Sequence, residues 1–198
     1  EVDTRLRPSG KGGLLVQSIE GFADYQRTDA WTWEHQALLR SRAVAGGADL
    51  RNRYESLRVE LLRTSVRRQT LREDVRSMRE RMRSELSKSK VGEFDLKQDA
   101  GGITDVEFLA QYWALLWSAR YAELVTYSDN IRQLESLASI CLVPQETVDV
   151  LTAAYRAYRQ RMHHLSLEGG DSIAPATEFE STRAEVAAIW RETMGRLY

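Results

Sequence analysis

Three charged side chains close to the start of the chain have types and spacing suited to phosphate chemistry. Asp3, Arg5 and Arg7 occupy alternate positions, with apolar or small residues between them. Alternation is the period of a β-strand, which sends all three side chains to one face. A carboxylate is a hard oxygen ligand for Mg²⁺, and a guanidinium group binds phosphate oxygens as a fork. The pattern fits a metal and polyphosphate site, and it fits equally well an exposed strand face with surface ion pairs.

A second group combines aromatic and polar residues at a predicted helix start, Trp31–Gln36. Two tryptophans in such a place favour anchors in the core over a platform on which a ligand stacks. Glu34 and His35 are adjacent, and neighbours along a helix do not face each other. We therefore expect no acid–base pair from them, and Trp33 and Glu34 are candidates only for supporting a site.

A third candidate is Asp105, which forms an Asp-x-Glu pair with Glu107. Two positions apart in the first turn of a helix, these carboxylates diverge, so a shared metal ion is not expected. Glu107 also completes a capping box that begins at Thr104. Asp105 stays a candidate near a helix N-terminus, where free N–H groups bind anions.

The composition excludes several classes of protein. Of the 198 residues, one is cysteine, Cys141, and three are histidine, which rules out an internal disulfide and a Cys-rich zinc cage. No apolar run approaches the roughly 18 residues of a membrane span, and the charged start lacks the apolar core of a signal peptide. We therefore expect a cytoplasmic protein that makes no use of a membrane, with Cys141 in its core.

Positive charge is concentrated between residues 51 and 90, where 13 basic side chains accompany 6 acidic ones although the net charge is −1. Apolar residues recur there every three or four positions, which predicts amphipathic helices with the arginines on the wet side. Glutamates four positions after arginines support the same interpretation. We interpret the block as solvated helix faces, with a surface for an anionic partner as the alternative.

The first third of the chain predicts a hairpin and two helices. Alternation over residues 2–6, a break rich in proline and glycine at 8–13 and an apolar run at 14–16 are typical of a β-hairpin. Helices are predicted over 18–26, with Ser18 as the cap, and over 30–44.

The rest of the chain predicts a helical bundle. Thr70, Thr104 and Thr177 each begin a Thr-x-x-Glu capping box that precedes an apolar-periodic run. The helix after Thr104 is apolar over most of its circumference and is expected to be central and buried. Further helices are predicted over 129–140 and from Pro144 onward. The expected fold class is therefore mostly α, a helical bundle that follows a short N-terminal β-hairpin.

Four separated segments, in this order, closely resemble the bacterial glutamine synthetase adenylyltransferase family, also called glutamate-ammonia-ligase adenylyltransferase. They are Glu1–Gly10 (EVDTRLRPSG), Ala30–Leu38 (AWTWEHQAL), Gly101–Phe108 (GGITDVEF) and Ser128–Arg132 (SDNIR). The resemblance implies a bifunctional enzyme whose two nucleotidyltransferase halves remove AMP from, and add AMP to, a tyrosine of glutamine synthetase. The Trp-Thr-Trp-Glu-His-Gln form is similar to the adenylylating half, with Trp33 and His35 as the discriminating positions.

The resemblance also implies roles for the first candidates. Asp3 matches the third carboxylate of a two-metal site that holds Mg²⁺, and Arg5 and Arg7 would lie near the triphosphate of ATP. The implied chemistry is in-line attack of the tyrosine oxygen on the α-phosphorus, with Mg²⁺ stabilising the attacking and leaving oxygens.

The implied organisation is a catalytic remnant followed by a bundle. Residues 1–47 would be the end of the nucleotidyltransferase α/β domain, and 48–198 the C-terminal helical bundle. The family's first two carboxylates belong to a Gly-Ser…Asp-x-Asp segment, and the chain contains neither pattern. We therefore expect those carboxylates upstream of Glu1, and we expect this chain to be inactive alone.

The expected partners are glutamine synthetase and, through the full-length enzyme, a PII-type signalling protein, with no nucleic acid and no membrane. One alternative is the deadenylylating half, which phosphorolyses the bond between AMP and tyrosine. Another is a docking module that binds glutamine synthetase or a PII-type protein through its helices or through an arginine face that includes Arg72, Arg76, Arg79 and Arg83.

Overall fold

The computed structural model describes residues 13–195, so Asp3, Arg5 and Arg7 lie outside the described residues. Helices dominate this range, and each of them is too short or too polar to cross a lipid bilayer. In chain order the elements are α1 Ile19–Thr28, α2 Thr32–Leu39, α3 Ala48–Thr64, α4 Leu71–Leu86, β1 Glu93–Asp95, α5 Ile103–Trp117, a single 3₁₀ turn Ala122–Val125, α6 Asn130–Ser139, α7 Gln145–Leu167, β2 Ile173–Pro175 and α8 Glu180–Met194.

Three helix starts confirm the predictions made from local side-chain chemistry. The hydroxyl oxygen of Ser18 accepts a hydrogen bond from the N–H of Gly21 at 3.1 Å, at the start of α1. Asp129 caps α6 in the same way, accepting from the N–H of Arg132 at 3.0 Å. Pro144 directly precedes α7, where a missing N–H breaks no helical hydrogen bond. These starts are set by residues within one turn of the helix.

The three predicted Thr-x-x-Glu capping boxes do not form. Thr70 precedes α4, but its hydroxyl donates to a carboxylate four positions on, at 3.0 Å. α5 begins one residue before Thr104, and α8 begins three residues after Thr177. At α5 the Asp105 carboxylate acts instead, because it accepts a hydrogen bond from the N–H of Gly101 at 2.7 Å. Carboxylates close in sequence therefore form hydrogen bonds that replace those of the predicted capping boxes.

α2 ends at Leu39, five residues before the predicted end at Val44. The side chain of Ser41 donates to the carbonyl oxygen of Leu38 at 2.6 Å, and its backbone N–H donates to the same oxygen at 3.1 Å. Both bonds turn the chain away from the helical path. The segment that follows α2 therefore leaves the helix axis and can pass close to α3.

α5 is the central helix, as its apolar circumference predicts. Eleven of its 15 residues are buried, and it packs against α2, α4, α6, α7 and α8. Val106, Leu109 and Leu115 have no exposed surface. Burial of each such side chain contributes roughly 1.5–3 kcal/mol, so the core is organised around this helix.

Two three-residue strands form a small sheet that was not predicted. β1 pairs antiparallel with β2, and Phe94 lies opposite Ala174. The strands are too short to show an alternating pattern, and they come from distant parts of the sequence. By contrast, Leu14–Val16, predicted as one arm of the N-terminal hairpin, form no strand and are between 68% and 82% exposed. The other arm lies outside the described residues.

Cys141 is exposed, so its predicted place in the core is wrong. The residue follows α6 with a φ of +57°, and the N–H of Leu142 reaches back to the carbonyl of Leu137 at 3.0 Å. Such a left-handed residue commonly closes a helix and turns the chain sharply. The turn leaves Cys141 in solvent and buries Val143 instead.

The backbone at Gly101 leaves no room for a side chain. Its φ is +78°, and a Cβ there would overlap the carbonyl oxygen of Arg183 on α8. Gly92 has a similar φ of +85° but open space around its Cβ position. We expect Gly92→Ala to cost roughly 1–2 kcal/mol of left-handed strain, and Gly101→Ala to cost clearly more because overlap adds to strain.

Denaturant unfolding of both variants measures the two free energies. Equal losses would show that α8 moves away without cost, contrary to this expectation.

Candidate functional site

A cavity of about 730 Å³ lies between α1, α2, α4 and α5. We call it the α2–α5 cavity. Its volume suits a small molecule. Among the candidates from the sequence, it brings together Trp33 and Glu34, whereas Asp105 does not line it. Its polar and aromatic lining consists of Phe22, Gln26, Trp33, Glu34, Gln36, Arg40, Ser41, Tyr54, Lys97, Thr104, Glu107, Phe108 and Gln111.

The two tryptophans are not the core anchors that were predicted. Trp33 is 36% exposed and Trp31 is 65% exposed. Most of the buried side chains of α2 are polar, among them Thr32, His35 and Gln36, so the aromatic side chains stay near the surface. Trp33 remains at the cavity wall, where an indole ring offers a flat apolar face to a ligand.

Glu34 acts as a positioning residue. It is 7% exposed, and its Oε1 and Oε2 accept hydrogen bonds from the hydroxyl of Tyr25 at 2.9 and 3.1 Å. Oε2 also accepts from the backbone N–H of Trp31 at 2.9 Å. The carboxylate thus satisfies the free N–H at the start of α2 and fastens that start to α1.

Polar pairs that sequence reasoning missed cross the cavity wall. The Gln36 amide donates to Gln111 Oε1 at 3.1 Å. The Arg40 guanidinium lies 3.4 Å from Glu107 Oε2, and Glu107 Oε1 accepts from the side-chain amide of Asn130 at 3.3 Å. The partners come from different helices, and no local spacing indicates them. They link α2 to α5 and α6.

Asp105 belongs to a buried ion pair. Arg79 Nε lies 2.6 Å from Asp105 Oδ1, and the two side chains are 0% and 1% exposed. The Arg79 guanidinium also donates to the carbonyl of Gln98 at 2.8 Å, and Arg83 lies 3.4 Å from Asp105. Burial lowers the pKa of the Arg79 guanidinium, and the Asp105 charge opposes that change. This carboxylate therefore holds α4, α5 and the segment between them together.

The basic block at 51–90 is only partly a solvated face. Arg51 and Arg81 are exposed as predicted, but Arg58 is 4% exposed and Arg79 is fully buried. Arg79 follows Val75, a buried residue of α4, by four positions. That spacing puts Val75 and Arg79 on one side of the helix. The sequence therefore contained a pattern from which the burial of this arginine could have been predicted.

The predicted docking face does not exist as a continuous arginine surface. Arg79 is buried, Arg76 lies 2.8 Å from a Glu73 oxygen, and the Arg72 side chain donates to the hydroxyl of Tyr112 at 3.2 Å. Arg83 shares the buried Asp105. Burial thus removes Arg79 from the surface, and the other three guanidinium groups already have partners within the fold.

His35 is a buried neutral side chain. It is 2% exposed, and its Nε2 donates to the carbonyl oxygen of Gln26 at 3.2 Å. Burial lowers the pKa of the imidazole below its ordinary value of 6.5, although the bond to Gln26 acts in the other direction. No hydrogen bond joins the His35 imidazole to the Glu34 carboxylate. The two adjacent residues therefore do not form an acid–base pair, as their positions along the helix predict.

The predicted metal site lies outside the described residues. Between residues 13 and 195, no three His, Cys, Asp or Glu side chains are grouped so as to hold a metal ion. Asp3, the predicted Mg²⁺ ligand, lies outside that range together with Arg5 and Arg7. The magnesium prediction therefore depends on Asp3.

Two family models match successive parts of the chain. The one described as Glutamate-ammonia ligase adenylyltransferase matches residues 1–57, and the one described as GlnD PII-uridylyltransferase matches residues 69–173. Over 194 residues, 98% of the chain, the sequence is 47% identical to the bifunctional glutamine synthetase adenylyltransferase/adenylyl-removing enzyme of Thioalkalivibrio sulfidiphilus (strain HL-EbGR7). The chain belongs to the glutamate-ammonia ligase adenylyltransferase family. It spans 20% of the length of that relative.

In this adenylyltransferase-family chain, the cavity lies where the two matched segments meet. Trp33 and Glu34 fall in the segment matched by the adenylyltransferase model, and Lys97 and Glu107 fall in the segment matched by the uridylyltransferase model. The packing of α2 on α4 and α5 brings the segments together. Residues from both matched segments therefore line the α2–α5 cavity.

The buried ion pair makes Arg79 critical for stability. Arg79→Met leaves the buried Asp105 carboxylate without its closest partner and with only the more distant Arg83, which costs roughly 3–5 kcal/mol. Arg81→Met, at an exposed position of the same helix, is expected to change stability by less than about 0.5 kcal/mol. Denaturant unfolding measures the free energy of unfolding of both variants. The double variant Arg79→Met/Asp105→Asn should lose less of that free energy than the sum of the losses in the two single variants. A loss no greater for Arg79→Met than for Arg81→Met would contradict the assignment.

Burial of His35 makes stability depend on pH. Because the folded-state pKa of His35 is below 6.5, the unfolded chain binds a proton that the folded chain does not, and stability falls as pH drops below that value. We expect the free energy of unfolding to fall more between about pH 7.5 and 5.5 in the wild type than in His35→Gln. His163→Gln, at an exposed position, should behave like the wild type. Parallel curves for all three proteins would disprove the role of His35.

Proposed function

We propose that this chain forms part of an enzyme that transfers AMP from ATP to a tyrosine of glutamine synthetase. The observation that carries the proposal is the 47% identity over 98% of the chain to the bifunctional enzyme of Thioalkalivibrio sulfidiphilus. That relative's name includes both the adenylyltransferase and the adenylyl-removing activity. The Trp-Thr-Trp-Glu-His-Gln form around Trp33 and His35 supports the adenylylating activity for this stretch.

Asp3, Arg5 and Arg7 are the residues proposed to act on the nucleotide. Arg5 and Arg7 would neutralise and orient the triphosphate through forked hydrogen bonds. Asp3 would hold Mg²⁺, which supplies charge stabilisation when it is bound. In the reaction, a bond forms between the tyrosine oxygen and the α-phosphorus, the bond to the leaving pyrophosphate breaks, and the tyrosine proton is lost. ATP and Mg²⁺ are thus the proposed substrate and metal.

The α2–α5 cavity fits this proposal as a junction between two parts. Residues 1–47 are proposed as the end of the catalytic domain and 48–198 as the helical bundle. On that division, Trp33 and Glu34 come from the first part, and Lys97 and Glu107 from the second. Small-molecule sites occur preferentially at such junctions. Within this proposal the cavity takes lining residues from both parts, with Glu34 positioning α2 at its wall.

Glutamine synthetase is the proposed substrate protein, and a PII-type signalling protein is a proposed partner of the full-length enzyme. The single cysteine is consistent with a reducing cytoplasm. The adenylyl-removing reaction is the second candidate for this stretch, because the relative's name includes it. In that case the same residues would serve phosphorolysis.

Asp3→Asn in the full-length enzyme separates the two activities. If this stretch adenylylates, incorporation of labelled AMP into glutamine synthetase should fall by a factor on the order of 100 or more, the scale of losing one group that stabilises developing charge. Release of AMP from adenylylated glutamine synthetase should be retained. Asp49→Asn, at an exposed position of α3, serves as the control and should affect neither reaction.

The opposite result, lost removal with normal incorporation, would assign the stretch to the removing activity. Unchanged rates of both reactions would show that Asp3 is not a catalytic residue.

A further inference from the structure

A second cavity, of about 510 Å³, has four arginines in its lining. Arg40 and Arg42 follow α2, whereas Arg156 and Arg159 lie on α7 three positions apart, which puts them on one face of that helix. We call this the arginine cavity. Its other lining residues are Ser128, Asp129, Asn130, Ile131 and Tyr155. It is distinct from the α2–α5 cavity, with which it shares Arg40.

Most of the positive charge of this cavity is not neutralised within the described part of the chain, where Arg40 alone among its four arginines forms an ion pair, with Glu107 at 3.4 Å. No ion pair there involves Arg42, Arg156 or Arg159; the guanidinium of Arg159 has Tyr155 as its neighbour, 3.5 Å from the phenol oxygen. The one carboxylate in the lining, Asp129, lies 3.7 Å from Arg132 and caps α6. Four guanidinium groups in one concavity repel one another, and an anion relieves that repulsion.

The N-terminus of α6 adds backbone donors to the same wall. Asn130 and Ile131 are the first two residues of this ten-residue helix, and among residues 13–195 no acceptor is bonded to their N–H groups. The positive end of the helix dipole therefore lies at the part of the cavity wall that Asn130 and Ile131 form. The side chain of Asn130 is 2% exposed, and its Oδ1 has no hydrogen-bond partner in the described part of the chain.

We propose that the arginine cavity binds a small ligand that carries a phosphate group. Guanidinium forks match phosphate oxygens in pairs, and free helical N–H groups complete the usual set of phosphate donors. The concave shape and the volume favour a small molecule over a flat macromolecular surface. The unused Oδ1 of Asn130 suits a ligand that also carries a hydroxyl or amino donor. The phosphate can come from free inorganic phosphate or from a phosphate ester, and the test distinguishes these sources.

Arg40 connects this site to the α2–α5 cavity. Its guanidinium lies 3.4 Å from Glu107 Oε2, so a phosphate in the arginine cavity competes with Glu107 for the same cation. Glu107 in turn accepts from Asn130 at 3.3 Å. Loss of the Glu107 charge should therefore leave Arg40 available and strengthen phosphate binding.

Equilibrium dialysis of the full-length protein with labelled inorganic phosphate or labelled ribose 5-phosphate, at constant ionic strength, tests the proposal. The double variant Arg156→Ala/Arg159→Ala should weaken binding at one site by about 10-fold or more, because each charge-assisted hydrogen bond contributes strongly. The matched control is Arg81→Ala/Arg191→Ala, which removes two exposed arginines that line neither cavity. Glu107→Gln should tighten the same site.

The measured affinities distinguish the two sources of phosphate and can also overturn the proposal. Tighter binding of ribose 5-phosphate than of phosphate identifies a phosphate ester as the source, and equal binding identifies free phosphate. Identical binding by the double variant and its control overturns the proposal, as does the absence of any binding that depends on Arg156 and Arg159 up to about 10 mM ligand, where a Kd would reflect only about 3 kcal/mol.

Discussion

The structure depends on one buried ion pair, between Arg79 of α4 and Asp105 of α5. Charged groups without exposed surface are stable only when their partners and remaining hydrogen bonds are in place. Asp105 also accepts from the Gly101 N–H, and Arg79 donates to the carbonyl of Gln98, whereas the Nη1 of Arg79 has no hydrogen-bond partner among the described residues. The pair therefore fixes two helices and the loop that joins β1 to α5. Tyr158 of α7 donates to the Gly101 carbonyl at 2.9 Å and extends the same anchorage.

Around this anchor, α5 has two roles. Its apolar side chains form the centre of the core, and its polar side chains contribute to the wall of the α2–α5 cavity. Glu107 lines the α2–α5 cavity and contacts both Arg40 and Asn130, so this helix connects the α2–α5 cavity to the arginine cavity. A rigid central helix is suited to this task, because packing on five neighbouring helices holds its polar groups in place.

Prediction from sequence succeeded where a few adjacent residues decide the outcome. Ser18 and Asp129 cap their helices, and the apolar circumference of α5 correctly indicated burial. It failed where a distant residue holds a nearby acceptor in place: at Thr104 the Thr-x-x-Glu capping box does not form, and the adjacent Asp105 carboxylate, which is paired with Arg79, accepts the Gly101 N–H instead. Among the site candidates, which stay predictions, Trp33 and Glu34 line the α2–α5 cavity, and no local pattern in the sequence indicated their neighbours on α5.

By itself, the sequence determined the helical class, most helix positions and, through its motifs, membership of the adenylyltransferase family. These properties depend on short-range periodicity and on residue types at fixed spacing. Only the tertiary structure decided which charges are buried and which remain for a ligand. Arg79 and Arg156 are both helical arginines, yet one is sealed against Asp105 and the other lines an open cavity. The difference comes from helix packing, which brings together residues that lie far apart along the chain.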